Sequence, residues 1–90
     1  MARRSFAVIG LGRFGSATAT TLTEMGQDVI GIDSNEERVR ELSDTLLQAA
    51  ELDATDERAL RAAGIQHVDI AIISIGENVE SSVLVVMLIK

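Results

Sequence analysis

Cysteine is absent, which excludes disulfides and thiolate chemistry and fits a reducing compartment. Aromatic residues are almost absent too. Phe6 and Phe14 are the only two among 90 residues, so the core has to be built from Val, Ile, Leu and Ala. Basic side chains are outnumbered, 8 against 14 acidic ones, for a net charge of −6. That balance argues against a nucleic acid partner and against an anionic membrane surface, so any bound anion has to be held locally. Histidine occurs once, as His67. Two arginines precede an apolar run at the start, but glycines and Arg13 break the run, so no targeting segment is read and a cytoplasmic location is expected. Internal repeats, linkers and low-complexity segments are lacking, and residues 1–90 read as a single small domain.

Hydrophobic residues make up 47% of the chain, a high share for this length, which points to surface that a partner, a second copy or further chain would cover. The chain is organised around Gly10 to Gly15, GLGRFG, directly behind the apolar run Phe6-Ala7-Val8-Ile9. This reads as strand, glycine turn, helix. Gly10 allows the tight turn, Gly12 lets backbone approach a ligand, and Gly15 lets the helix lie close to the strand. The first helical turn then offers unpaired N–H groups and the positive end of a dipole, a place for a diphosphate. A second strand, Val29 to Ile32, ends on Asp33, about 20 residues past the first glycine, where a carboxylate would accept ribose hydroxyls. Together these features indicate an adenine nucleotide or dinucleotide.

Along the chain, Phe14, Ala17, Thr18, Thr21, Leu22 and Met25 recur at helical spacing and are expected to face the sheet, with Gly26 ending the helix. Ser34 with Glu37 suggests a capping box for a helix whose Val39 and Leu42 face inward, and Glu36, Glu37, Arg38, Arg40 and Glu41 form its wet face. A short third strand near Leu47 to Ala50 leads to Asp53-Ala54-Thr55-Asp56, with Thr55 as the expected cap of a helix carrying Ala59, Leu60 and Ala63 that stops at Gly64. Val68 to Ile75 is a fourth strand. After the turn Gly76-Glu77-Asn78, a last helix capped by Asn78 is expected, apolar on nearly all sides and therefore buried by something else. Its apolar stretch is too short to span a bilayer.

This alternation predicts a Rossmann-like α/β fold, a parallel sheet in the order 3-2-1-4 with flanking helices. A doubly wound sheet continues with strands beside the fourth, so the chain is expected to be a fragment, truncated before the later strands. Ligands bind at the carboxyl ends of such strands, which gathers the glycine loop, Asp33-Ser34-Asn35, Asp53-Ala54-Thr55 and Ser74 to Asn78. Arg13, among the phosphate-binding amides, could clamp a terminal phosphate with its planar guanidinium. Asp33 would repel a 2′-phosphate, favouring NAD or an adenosine di- or triphosphate over NADP. His67 falls at the amino end of the fourth strand, away from this crevice. Glu77 and Glu80 could help hold a divalent ion, or simply favour a helix start. No metal site, paired-carboxylate site or nucleophile site is recognised, and the domain reads as a nucleotide binder without a catalytic constellation.

FAVIGLGRFG, IDSNEERV, DATDE and IAIISIGENVESS together resemble the N-terminal lobe of RCK domains, the TrkA-N family, and within it the KtrA-type regulators of bacterial potassium uptake. The resemblance runs along essentially the whole chain. It implies a regulatory subunit that binds ATP or ADP, with NAD(H) possible, and assembles as a homo-oligomer, from dimer to ring, against a membrane potassium channel or transporter at the inner face of the cell membrane. It further implies that Gly10, Gly12, Arg13, Phe14 and Gly15 hold the phosphates, Asp33 the ribose, and Asn35 the adenine, with Asp53, Ala54 and Thr55 on its other side. The alternative is the cofactor half of an NAD-dependent dehydrogenase, whose glycine loop has a similar sequence. A third reading, an interaction domain without a ligand, is weakened by Asp33 and Arg13 both being present.

Overall fold

The computed structural model describes residues 3–75 and 83–88. Four strands run parallel. β1 (Ser5–Ile9) lies at the centre, between β2 (Asp28–Asp33) and β4 (Ile70–Ile75), and β3 (Gln48–Glu51) lies outside β2. Registers such as Val8 opposite both Gly31 and Ile72 put the carboxyl ends of β1, β2 and β4 at one level. The expected order 3-2-1-4 is therefore present. Three helices link the strands: α1 (Arg13–Glu24), α2 (Glu36–Leu42) and α3 (Glu57–Ala62). Right-handed crossovers place α1 and α2 on one face and α3 on the other.

The last segment departs from expectation. Val83–Leu88 is a strand, β5, antiparallel to β4 and paired from Ile70 with Leu88 to Ile75 with Val83, where a helix was expected. A short, continuous apolar run does not reveal its state through periodicity, and three of its six residues are β-branched valines suited to a strand. The expected turn at Gly76 to Asn78, and that Asn78 cap, lie outside the described residues.

Val8, Leu11, Ala19, Val29, Leu46 and Ile72 form the buried cluster between α1, α2 and the sheet, with Phe6, Leu22, Leu42 and Ile70 packed around it. Ala7, Ile32 and Ala71 are buried on the opposite face. This is the aliphatic, nearly non-aromatic core that the composition requires. Gly31 makes room in it, because a Cβ there would lie 2.5 Å from Leu46 Cδ1. Just ahead of β4, the Asp69 carboxylate accepts the backbone N–H of Ser5 at 2.9 Å and its hydroxyl at 3.1 Å, tying the amino ends of the two central strands.

The inward face of α1 also differs from the periodicity reading. Its buried residues are Gly15 and Ala19, and of the six expected to face the sheet only Leu22 packs against the core cluster. Ala17, Thr21 and Met25 are exposed. The reason lies at the start of the helix, where an added Cβ on Gly15 would stand 1.8 Å from the Gly10 carbonyl oxygen. That contact dictates the rotation of α1 about its axis. Threonines blur the pattern further, since Thr18 and Thr23 donate their hydroxyls to the carbonyls of Phe14 and Ala19, at 3.0 and 2.9 Å, and so need no solvent. Gly26, at φ +86°, ends α1 as expected, and Gly64, at φ +92°, ends α3.

The buried Leu46 and the exposed Met25 predict a contrast in stability. Leu46→Ala should cost about 2–5 kcal/mol in a denaturant titration, while Met25→Ala should stay within about 0.5 kcal/mol of the parent. Equal losses would mean that Met25 packs against the sheet after all.

Candidate functional site

At the carboxyl ends of the strands lies a cavity of about 310 Å³, lined by Ile9, Gly10, Ile32, Asp33, Ser34, Asp53, Ala54, Ile73 and Ser74. Three isoleucines, one each from β1, β2 and β4, supply apolar surface, and carboxylates come from Asp33 at the end of β2 and Asp53 in the loop after β3. A larger groove of about 420 Å³ runs along α1, but its lining is almost wholly apolar and, among the described residues, no carboxylate lines it. The smaller cavity is the one with convergent polar groups.

The glycine loop is held in place by backbone geometry. Gly10 has φ +96°, and a Cβ on it would lie 2.6 Å from the carbonyl oxygen of Ser74. Its N–H donates to the carbonyl of Ile32 at 2.7 Å, joining the turn to the end of β2. Gly12 is the N-cap of α1, in extended conformation and without a side-chain cap, and the first turn carries no acidic residue. The first intrahelical bond runs from Ser16 N–H to the Gly12 carbonyl at 2.8 Å. The amides ahead of Ser16 in that turn therefore have no intrahelical acceptor, which suits an anionic group.

Asp33 is 9% exposed, far from the solvated strand-end carboxylate that would be its default. Its Oδ2 accepts the Leu11 N–H at 2.7 Å, and its Oδ1 accepts the Asn35 N–H at 2.8 Å. Each carboxylate oxygen offers about two acceptor positions, so capacity for ribose hydroxyls is left after both bonds. Arg38 Nη1 lies 3.6 Å from Asp33 Oδ2, an ion pair rather than a hydrogen bond.

Both acidic turns shift a helix cap by one residue. Because Asp33 binds the N–H of Asn35, the cap of α2 is Asn35, whose Oδ1 accepts from Arg38 N–H at 3.1 Å, and not Ser34. Asp53 repeats the arrangement: its Oδ1 accepts the Thr55 N–H at 2.8 Å and the Thr55 hydroxyl at 2.7 Å. The cap of α3 is accordingly Asp56, not Thr55. These bonds, the hydroxyl first and then the amide, hold the Asp53 carboxyl below its ordinary value of 3.8.

Of the residues singled out from sequence, the structure gathers Gly10, Asp33, Ser34, Asp53, Ala54 and Ser74 on one cavity. Gly12 and Gly15 shape the adjoining turn, Asn35 starts α2, and Thr55 supports Asp53. Arg13 and Phe14 are placed differently. Arg13 is the exposed first residue of α1, and both side chains line the α1 groove rather than the cavity. His67 is exposed in the short turn ahead of β4, at the opposite end of the sheet. Glu77 and Glu80 lie outside the described residues, and no cluster of three or more potential metal ligands occurs among the described ones. Sequence reasoning missed Arg38, which it counted as wet helix surface, and the Leu11 amide. An arginine five residues after the strand-end acid, one turn into the helix, was the available signal.

This glycine turn, with a buried acid at the end of the second parallel strand, defines a Rossmann-type nucleotide-binding fold, and residues 6–90 match the TrkA-N domain. The chain belongs to the TrkA-N family. It is 39% identical over 88 residues, 98% of its length, to Ktr system potassium uptake protein C of Bacillus subtilis (strain 168), of which it covers 40%. It is equally 39% identical, over 87 residues, to Ktr system potassium uptake protein A of the same organism, covering 97% of the chain and 39% of that relative. A UDP-N-acetyl-D-mannosamine dehydrogenase of Methanocaldococcus jannaschii is 48% identical over 46 residues, 51% of the chain but 11% of that protein. The chain thus spans about two fifths of the length of its Ktr relatives. Among the described residues no helix is long and apolar enough to cross a membrane.

Two measurements probe the acidic turns without ligand. Asp33→Asn keeps one acceptor oxygen in place of two, so either the Leu11 or the Asn35 N–H loses its partner, and stability should fall by about 1–3 kcal/mol in chemical denaturation. For Asp53, the lowered carboxyl makes its contribution fully present above 3.8 and lost as the pH falls through the folded-state value. The stability difference between parent and Asp53→Ala should therefore shrink on acidification below that point. A difference that grows with acid would reverse the assignment.

Proposed function

We propose that this chain is the nucleotide-binding part of a cytoplasmic regulator of potassium uptake, reading adenine nucleotides rather than consuming them. The observation that carries the reading is the Asp33 to Leu11 bond at 2.7 Å, which holds the acidic strand end against a glycine turn opening into the uncapped α1. A diphosphate would take the first-turn amides around Gly12, Arg13, Phe14 and Gly15. Ribose would take the remaining acceptor capacity of Asp33, with the base between Ser34-Asn35 and Asp53-Ala54-Thr55. Arg13 begins α1 with an exposed side chain, so its guanidinium is available to a terminal phosphate.

The names of the Ktr relatives support potassium uptake as the setting, with a membrane transporter subunit as partner at the inner face of the membrane. Regulation then requires a ligand with different affinity for two arrangements of a homo-oligomeric ring. A γ-phosphate drawn to Arg13 in one arrangement alone would supply that difference. The shared segment with the mannosamine dehydrogenase supports a second reading, the cofactor half of an NAD-dependent enzyme, and the two part company in ligand preference.

Isothermal titration with ATP, ADP, AMP, NAD and NADH separates them. The regulatory reading expects ATP or ADP to bind well above AMP, and Arg13→Ala to lose the triphosphate preference by roughly tenfold, the worth of about one charge-assisted contact. Binding of NADH alone, indifferent to Arg13, would favour the dehydrogenase reading.

A further inference from the structure

We propose that Arg38 forms a stacking platform for the purine base, an assignment that rests on the nucleotide reading above and adds a binding residue to it. A purine bound beside Asp33 would present flat π-faces on which a planar group can stack, and the cavity wall supplies no aromatic ring. Its apolar lining is aliphatic: Ile9, Ile32, Ala54 and Ile73. Phe6 packs against the core cluster and Phe14 lines the α1 groove, so neither of the two aromatic residues faces this cavity.

Arg38 fills that gap in chemistry. It occupies the first turn of α2, three residues after the Asn35 cap. Helical side chains lean toward the helix N-terminus, which directs this one back over Asp33 to Asn35. The ion pair with Asp33 confirms the direction, and at 3.6 Å it holds the guanidinium by charge without consuming a hydrogen bond. The side chain of Arg38 is 46% exposed while that of Asp33 is 7% exposed, so the carboxylate is turned into the fold and nearly half of the arginine side chain meets solvent. Glu36, on the same helix, is paired with Arg40 and does not compete. Arginine stacks its delocalised plane on aromatic rings, whereas lysine offers only a point charge. Asp33 would thus act twice, as ribose acceptor and as the anchor of the group that covers the base.

The test is titration of the full chain with ADP for the parent, Arg38→Ala and Arg38→Lys, together with the Arg38 Nε–Hε resonance followed by NMR. Stacking predicts that both variants bind ADP roughly 3- to 10-fold more weakly, lysine failing to rescue, and that the Hε resonance moves upfield as ADP is added. Unchanged backbone amide spectra of the free variants will show that they remain folded. Parental affinity in Arg38→Lys would make the role one of charge and overturn the stacking assignment, as would an Hε resonance that stays in place while ADP binds. Failure of the parent itself to bind any adenine nucleotide would overturn the nucleotide reading and this assignment with it.

Discussion

The approach of Gly15 to the Gly10 carbonyl is the contact on which the rest of the structure depends. With 1.8 Å between that oxygen and the place where a Cβ would sit, any side chain at position 15 would push α1 off the sheet. Because the contact holds, the helix begins directly at the end of β1, and its uncapped first turn opens beside the cavity. The same contact sets the roll of the helix, bringing Ala19 and Leu22 onto the sheet and leaving the groove of Phe14, Ala17, Thr18 and Thr21 outside. A backbone constraint at one end of α1 therefore decides what its whole length buries.

Asp33 extends that constraint across the sheet. Its carboxylate joins the glycine turn through Leu11 and the start of α2 through Asn35, so the glycine turn and the start of α2 are parts of one bonded unit. A buried carboxylate survives only where hydrogen bonds and opposite charge offset its lost hydration, and both are present in two backbone amides and Arg38. The acid that a ribose would use is therefore also one that the fold uses. Asp53 makes the same kind of turn on the facing loop, but in solvent, where its bonds to Thr55 shape the loop without crossing to another element.

Much of the architecture was legible because its signals are local. Continuous apolar runs marked the buried parallel strands, glycines marked the turn and the two helix ends, and the acid after Ile32 marked the crevice. The misreadings share a cause as well. Ser34 and Thr55 looked like caps because of their residue types, yet the preceding aspartates bind the amides of Asn35 and Thr55 and start each helix one residue later. Arg38 looked like solvent-facing charge because it sits in a charged helical run, and the acid five residues before it, at the end of the preceding strand, was not paired with it.

The sequence by itself determined the four parallel strands, their order, the glycine turn and the acid at its side, since periodicity, glycine stereochemistry and crossover handedness act within a few residues or through a universal rule. Only the tertiary structure decided which face of α1 is buried, where Asp33 and Arg38 meet, and that residues 83–88 pair with β4 as a strand. Each of these turns on a contact between different elements of the fold, and the energy of such a contact is absent from either element alone.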